Sequence, residues 1–312
     1  MTTLQEQAKS YFEIRRALGY KLAKAERLLA QFLEFMEVEG AEVVTTELAL
    51  RWATLPAGAA EQWWAHRLGV VRAFARHLVN LDPRTEVPPK EILPEHSRRA
   101  VPYLYSDDEV HRLMAAAAAL SAPLRAATFT TLIGLLRATG LRVGEAIGLD
   151  RSDVDLEDGV VVVRHAKFDK TRAVPLHEAT RKGLADYAVT RDRLCRHKLG
   201  PSFFITRQGT RLEYSIVRLQ FSRLLATAGI EARSPSCRPR IHDLRHSFAV
   251  STLLASYRDD VNAEIDAEGR LAILATYLGH VHPKTSYWYL SGSPELFRLV
   301  VKRLEGPPRW IR

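Results

Sequence analysis

Cysteine is almost missing from this chain: Cys195 and Cys237 are the only two in 312 residues. They form no metal-ligand cluster, so no bound metal is expected and a reducing cytoplasm is the simpler setting. Long apolar runs are missing too, and nothing approaches the roughly twenty residues that a membrane-spanning helix needs. The opening Met1-Thr2-Thr3-Leu4-Gln5-Glu6 has no basic region leading into an apolar run, so no secretory signal is expected. A Gly-x-x-x-x-Gly-Lys-Ser/Thr loop is also lacking, which argues against chemistry driven by a nucleoside triphosphate. No cofactor is expected.

What is present supports globular cores. The apolar fraction is 46%, and the length suits two domains. The net charge of +9 is unevenly placed. Residues 1–100 carry 14 Lys/Arg against 13 Asp/Glu, whereas residues 101–312 carry 31 against 23. A basic second half suits a polyanion, and nucleic acid fits better than a membrane surface. Charge placed only for solubility is the competing reading.

The first eighty residues read as helices. Leu4 to Leu18 stops at Gly19, and Leu22, Leu28, Leu29, Phe32, Leu33 and Met36 recur at helical spacing until Gly40. Thr46 is placed to cap a short helix running to Leu55. A fourth stripe holds Trp63, Trp64, Leu68, Val71, Phe74 and Leu78, with Arg67, Arg72 and Arg76 interleaved. Those arginines read as DNA-backbone contacts or as an ordinary solvated face. Pro83, Pro88, Pro89, Pro94 and Pro102 then mark a linker, dividing the chain into domains at 1–85 and 102–312 with a linker at 86–101. Ser106 and Glu109 form a capping box that opens the next helix. Four valines at 160–163 and the segment Arg172–Leu176 predict strands. Helices are expected at roughly 178–197, 214–228, 243–255, 270–278 and 294–304. The fold class is therefore mainly α with a small β-sheet.

Several residues have the chemistry to cut a phosphodiester without metal. Arg142 follows Gly140 near a predicted helix start, where an anion is favoured, and its planar fork can hold two phosphate oxygens. Glu145, three residues on, can pair with it on the same face. His242 and Arg245 are likewise three apart, and His280 follows Gly279 at a predicted helix end. Tyr289 stands nine positions after His280, beside Tyr287 and Trp288. Each has a bland alternative: a helix ion pair, a capping histidine, a core tyrosine. A zinc reading also competes, because His242 and His246 are four apart with Asp243 between them. The expected glutamate is absent, however, and Arg245 would set a fixed positive charge beside the dication.

Taken in order, these segments resemble the tyrosine recombinase/integrase family. Arg142 stands in Thr139-Gly140-Leu141-Arg142-Val143-Gly144-Glu145, His242 and Arg245 stand in a His-x-x-Arg segment, and His280 stands in Leu278-Gly279-His280. The resemblance implies that Lys167 is the hairpin lysine, with Lys170 and Arg172 as further basic, DNA-contacting positions. It implies that Tyr289 is the nucleophile and that Arg142, Lys167, His242, Arg245 and His280 complete the catalytic set, supported by Glu145. The stretch between Arg245 and His280 is long, as in transposon-associated members, the recombinase-in-trio type among them. Further implications are a helical core-binding domain, a mixed α/β catalytic domain, and double-stranded DNA as partner. A homo- or hetero-tetramer on paired sites and a cytoplasmic, nucleoid-associated location are also expected. Type IB topoisomerase-like relaxation, or DNA binding without catalysis, are the alternative functions.

Overall fold

The computed structural model describes residues 3–20, 22–94, 101–164, 171–195, 200–258 and 267–279. The chain divides into two compact units, Met1–Arg99 and Ala100–Arg312. No helix among the described residues is long and apolar enough to cross a membrane.

Among the described residues the first unit holds four helices: α1 (Leu4–Ala17), α2 (Ala23–Val38), α3 (Thr46–Thr54) and α4 (Glu61–Leu78). Thr3 and Glu6 close a reciprocal capping box on α1, each side chain accepting from the other's backbone N–H. The N-cap of α3 is Thr45 rather than Thr46: Thr45 is extended, and its hydroxyl accepts from Leu48 N at 3.3 Å. Phe12, Leu29, Phe32, Met36, Trp52, Leu68, Val71 and Phe74 form the core. Two arginines of the expected solvent-facing stripe point inward instead. Arg67 lies over the Trp52 ring and donates to Trp52 O at 2.8 Å. Arg72 donates to Pro88 O at 2.8 Å and to Pro89 O at 2.7 Å. Arg76 alone of the three is exposed.

Those Arg72 bonds change the picture of residues 86–93, which were expected within a linker. Glu86 N donates to Val44 O at 2.9 Å, and Val87 and Leu93 pack on the helical core. Proline removes a backbone donor but keeps its carbonyl, so the Pro88-Pro89 pair offers acceptors to a buried guanidinium. The residues that stop a helix here also tie the chain down.

Among its described residues the second unit is mainly helical, with a small sheet. Its helices are α5 (Asp107–Ala118), α6 (Pro123–Thr139), α7 (Val143–Gly148), α8 (Glu178–Leu194), α9 (Tyr214–Thr227), α10 (Asp243–Arg258) and α11 (Ala267–Leu278). Ser106 and Glu109 form the expected capping box on α5. The apolar α6 runs through the middle and packs against α5, α8 and α10. Strands β1 (Val154–Asp155), β2 (Val160–Val163) and β3 (Arg172–Pro175) form an antiparallel sheet in that order. Val161 and Val163 are buried, and the register sets Val163 opposite Arg172 and Val160 opposite Pro175. A second apolar cluster joins α10 to α11 through Ala249, Val250, Leu253, Leu271, Leu274 and Leu278. The helix expected at 294–304 lies outside the described residues.

Candidate active site

Gly140 ends α6 in the left-handed conformation, with φ of 62°. A side chain there would be strained, and its Cβ would run into the Phe248 ring on α10. The bare glycine therefore lets α10 approach the end of α6. Arg245, from the first turn of α10, donates to Gly140 O through Nη1 and to Leu278 O through Nη2, both at 2.7 Å. Arg245 is only 2% exposed. Carbonyls at helix C-termini lack intrahelical donors and sit at the negative end of the dipole, so a buried guanidinium is well matched there.

Arg142 follows Gly140 and precedes α7. Its Nη1 donates to Glu145 Oε1 at 2.6 Å, its backbone N to Glu145 Oε2 at 2.9 Å, and its Nη2 to Gly279 O at 3.4 Å. The ion pair expected between Arg142 and Glu145 is formed, and 31% of the Arg142 side chain stays open. The expected helix-start contribution is small, because α7 is six residues long and the N–H of Arg142 goes to Glu145. Glu145 also receives the fork of Arg172, Nη1 to Oε1 at 3.2 Å and Nη2 to Oε2 at 2.8 Å. Burial would raise its pKa, but hydrogen bonds from Arg172 and Arg142 prevail and hold it at about 2. Arg172 Nε donates in turn to Tyr277 O at 3.1 Å. The carbonyls of Tyr277, Leu278 and Gly279 thus each meet a different arginine, drawn from β3, α10 and the segment before α7.

His242 immediately precedes α10, and its carbonyl accepts from Arg245 N at 3.1 Å. The residue keeps an exposed surface, although surrounding protein partly desolvates the ring. This partial burial, reinforced by the positive fields of Arg245, Arg142 and Arg240 against the pull of Glu145, lowers its pKa to about 4. It is neutral near pH 7 and can accept a proton. His246 meets it edge to face, with ring centroids 5.1 Å apart. Asp243 accepts three hydrogen bonds from Arg240, at 2.9, 3.1 and 2.9 Å. The carboxylate that a zinc reading requires is therefore engaged elsewhere, among guanidinium groups that oppose a dication.

Arg142, Glu145, Arg172, His242 and Arg245 are thus brought to one place. Lys167, Lys170, His280 and Tyr289 lie outside the described residues. Arg67 and Arg72 are structural groups of the helical unit. The role of Arg240 in holding Asp243 was missed, although its position three residues before Asp243 was available as a signal. Arg172 appeared in the sequence as a hairpin cation with no hint of its partner.

A model described as the phage integrase family matches residues 104–294. The putative integrase/recombinase y4rB of Sinorhizobium fredii is 42% identical over 316 residues, covering 99% of each chain. The tyrosine recombinase XerD of Bradyrhizobium diazoefficiens is 32% identical, covering 77% of this chain and 74% of its own. Among solved structures, the Tn1549 transposon integrase in complex with a circular intermediate DNA superposes with a TM-score of 0.66. It is 15% identical, covering 95% of this chain and 99% of that one.

Proposed function

The chain belongs to the phage integrase family and is a site-specific recombinase of the tyrosine type, and we propose that it cuts and rejoins double-stranded DNA through Tyr289. The supporting observation is the meeting of Arg142 with Arg245 and a neutral His242 at one site, although about a hundred residues separate Arg142 from the other two.

Tyr289 Oη attacks the scissile phosphorus, and its proton passes to His242 or to solvent. A free phenol is mostly protonated near pH 7, so the guanidinium groups help by stabilising negative charge as the phenolate forms and the phosphorane develops. Arg142 presents its open edge to a non-bridging oxygen, and Arg245 reinforces the positive field from below. His280 donates a hydrogen bond to the phosphate. Lys167 gives a proton to the departing 5′ oxygen. A 3′-phosphotyrosyl linkage remains, and it keeps the energy of the broken bond. A second 5′ hydroxyl reverses the step and joins a new strand.

In this reading both units contact the duplex, and four protomers assemble on two sites. Lys170 supplies backbone contacts, as do the exposed Arg76 and other surface cations of the described residues. The protein works in the cytoplasm, at the nucleoid. The test uses a nicked suicide duplex drawn from DNA flanking the gene. The wild type should form a denaturant-resistant covalent adduct, while Tyr289→Phe should bind the duplex and form none. An adduct that survives in Tyr289→Phe removes that residue from the role. Absence of an adduct with the wild type overturns the strand-cleavage reading.

A further inference from the structure

Glu145 is a saturated acceptor. Its two carboxylate oxygens take four N–H groups, two from Arg142 and two from Arg172. A carboxylate offers about four lone-pair sites, so this one has no remaining capacity. Its side chain is 9% exposed and that of Arg172 15%. Both therefore lie beneath the more open Arg142. The bidentate geometry of Arg172 fixes the plane of the carboxylate, and the carboxylate fixes Nη1 of Arg142.

Arg172 has a third bond that matters as much. Its Nε holds Tyr277 O, in the last turn of α11, one residue before the carbonyl that Arg245 holds. The space it occupies exists because residue 279 is glycine: a Cβ there would come within 2.9 Å of Arg172 Nη1. Arg172 is also the first residue of β3, paired with the end of β2, so it ties the hairpin to α11. One side chain thus joins the sheet, the Glu145–Arg142 pair and the helix end that leads into His280.

Charge strengthens the argument. Arg142, Glu145 and Arg172 together carry one net positive charge. Without Arg172, Glu145 would neutralise Arg142 alone, so the negative charge that builds in the transition state would be poorly met at that edge, whereas duplex binding rests on the many other cations.

We propose that Arg172 is a positioning residue of the strand-transfer reaction, aligning Arg142 through Glu145 and locking the β-hairpin to the end of α11, instead of contacting DNA itself. The inference rests on the recombinase reading for its catalytic consequence and on hydrogen-bond geometry for the clamp. Two sets of measurements separate these.

The first set uses the nicked flanking-DNA duplex with Arg172→Lys, Arg172→Met, Glu145→Gln and the double variant Arg172→Met/Glu145→Gln. Arg172→Met should slow adduct formation on the order of 10²-fold, as loss of an aligned oxyanion donor does. Arg172→Lys, which keeps charge and loses the fork, should fall between it and the wild type. Adding Glu145→Gln to Arg172→Met should recover about tenfold, because Gln no longer neutralises Arg142 and the two sites act as one unit. Duplex affinity and its salt dependence should stay near wild type throughout, whereas a lost phosphate contact would lower the salt slope by about one. The proposal is overturned if Arg172→Met forms adduct at the wild-type rate, if its salt slope drops, or if Glu145→Gln worsens it. The second measurement needs no DNA. In Arg172→Lys and Arg172→Met the free protein should lose less stability on acidification from about pH 4.5 to 2, since Glu145 then titrates nearer its ordinary range. An unchanged acid limb sinks the clamp, even if the wild type forms no adduct and the recombinase reading itself has failed.

Discussion

A histidine flanked by three arginines cannot titrate as it does in water. Burial and the fields of Arg245, Arg142 and Arg240 hold His242 at about 4, below the ordinary 6.5. On acidification the unfolded chain therefore takes up the proton first. Stability contributed by the neutral ring is complete above about pH 6.5 and is lost as pH falls towards 4. His242→Gln should remove that part of the acid sensitivity, and urea unfolding across this range measures it. An unaltered acid slope in the variant would show that the ring is not so placed. A phosphate beside His242 would act in the opposite direction, raising its pKa and readying it to carry a proton. Residue types were legible at this scale, since Arg, His and Glu at these spacings already suggested phosphate chemistry. Their partners were not. The carbonyls of Gly140 and Leu278 that hold Arg245 lie far from it in sequence and carry no side-chain signature.

Among the elements, the end of α6 is the most constrained point. Gly140 must satisfy a positive φ and a close ring at once, whereas Gly58 has a positive φ with nothing within 4 Å of a would-be Cβ. Gly58→Ala should cost only the backbone term, about 1 kcal/mol. Gly140→Ala should cost at least about 1 kcal/mol more, because Phe248 must move and so disturb the seat of Arg245. Denaturant midpoints of the two variants make the comparison, and equal losses would refute the contact. Helix stops at Gly19, Gly40 and Gly140 could be read locally, as could the capping box of Ser106 and Glu109. The two-residue β1 could not, since it shows no alternation and exists only through its pairing with β2. Nor could the shortness of α7, because Leu141 and Leu149 continue the apolar spacing without being helical.

Across the whole molecule, each unit carries its own apolar core. Phe32, Trp52 and Phe74 anchor one, while Leu132, Ile133, Leu136 and Leu224 help to build the other. Residues 100–312, produced alone, should therefore fold cooperatively and show native near-UV dichroism. They should also retain most of the salt-dependent attraction to duplex DNA, since residues 101–312 hold 31 of the 45 Lys/Arg. A molten fragment, or one whose affinity ignores salt, would contradict this. The charge division was plain in the sequence. The inward turn of Arg67 and Arg72 was not, because arginines at helical spacing look alike whether they face water or a buried carbonyl.

The order of reactive side chains, the helix stops and the uneven charge were determined by the sequence alone, because each depends on neighbours a few residues away or on simple composition. Tertiary structure decided which arginines keep an open edge and which brace the fold. That choice depends on backbone carbonyls exposed at the ends of α6 and α11, and only packing brings those acceptors to Arg142, Arg172 and Arg245.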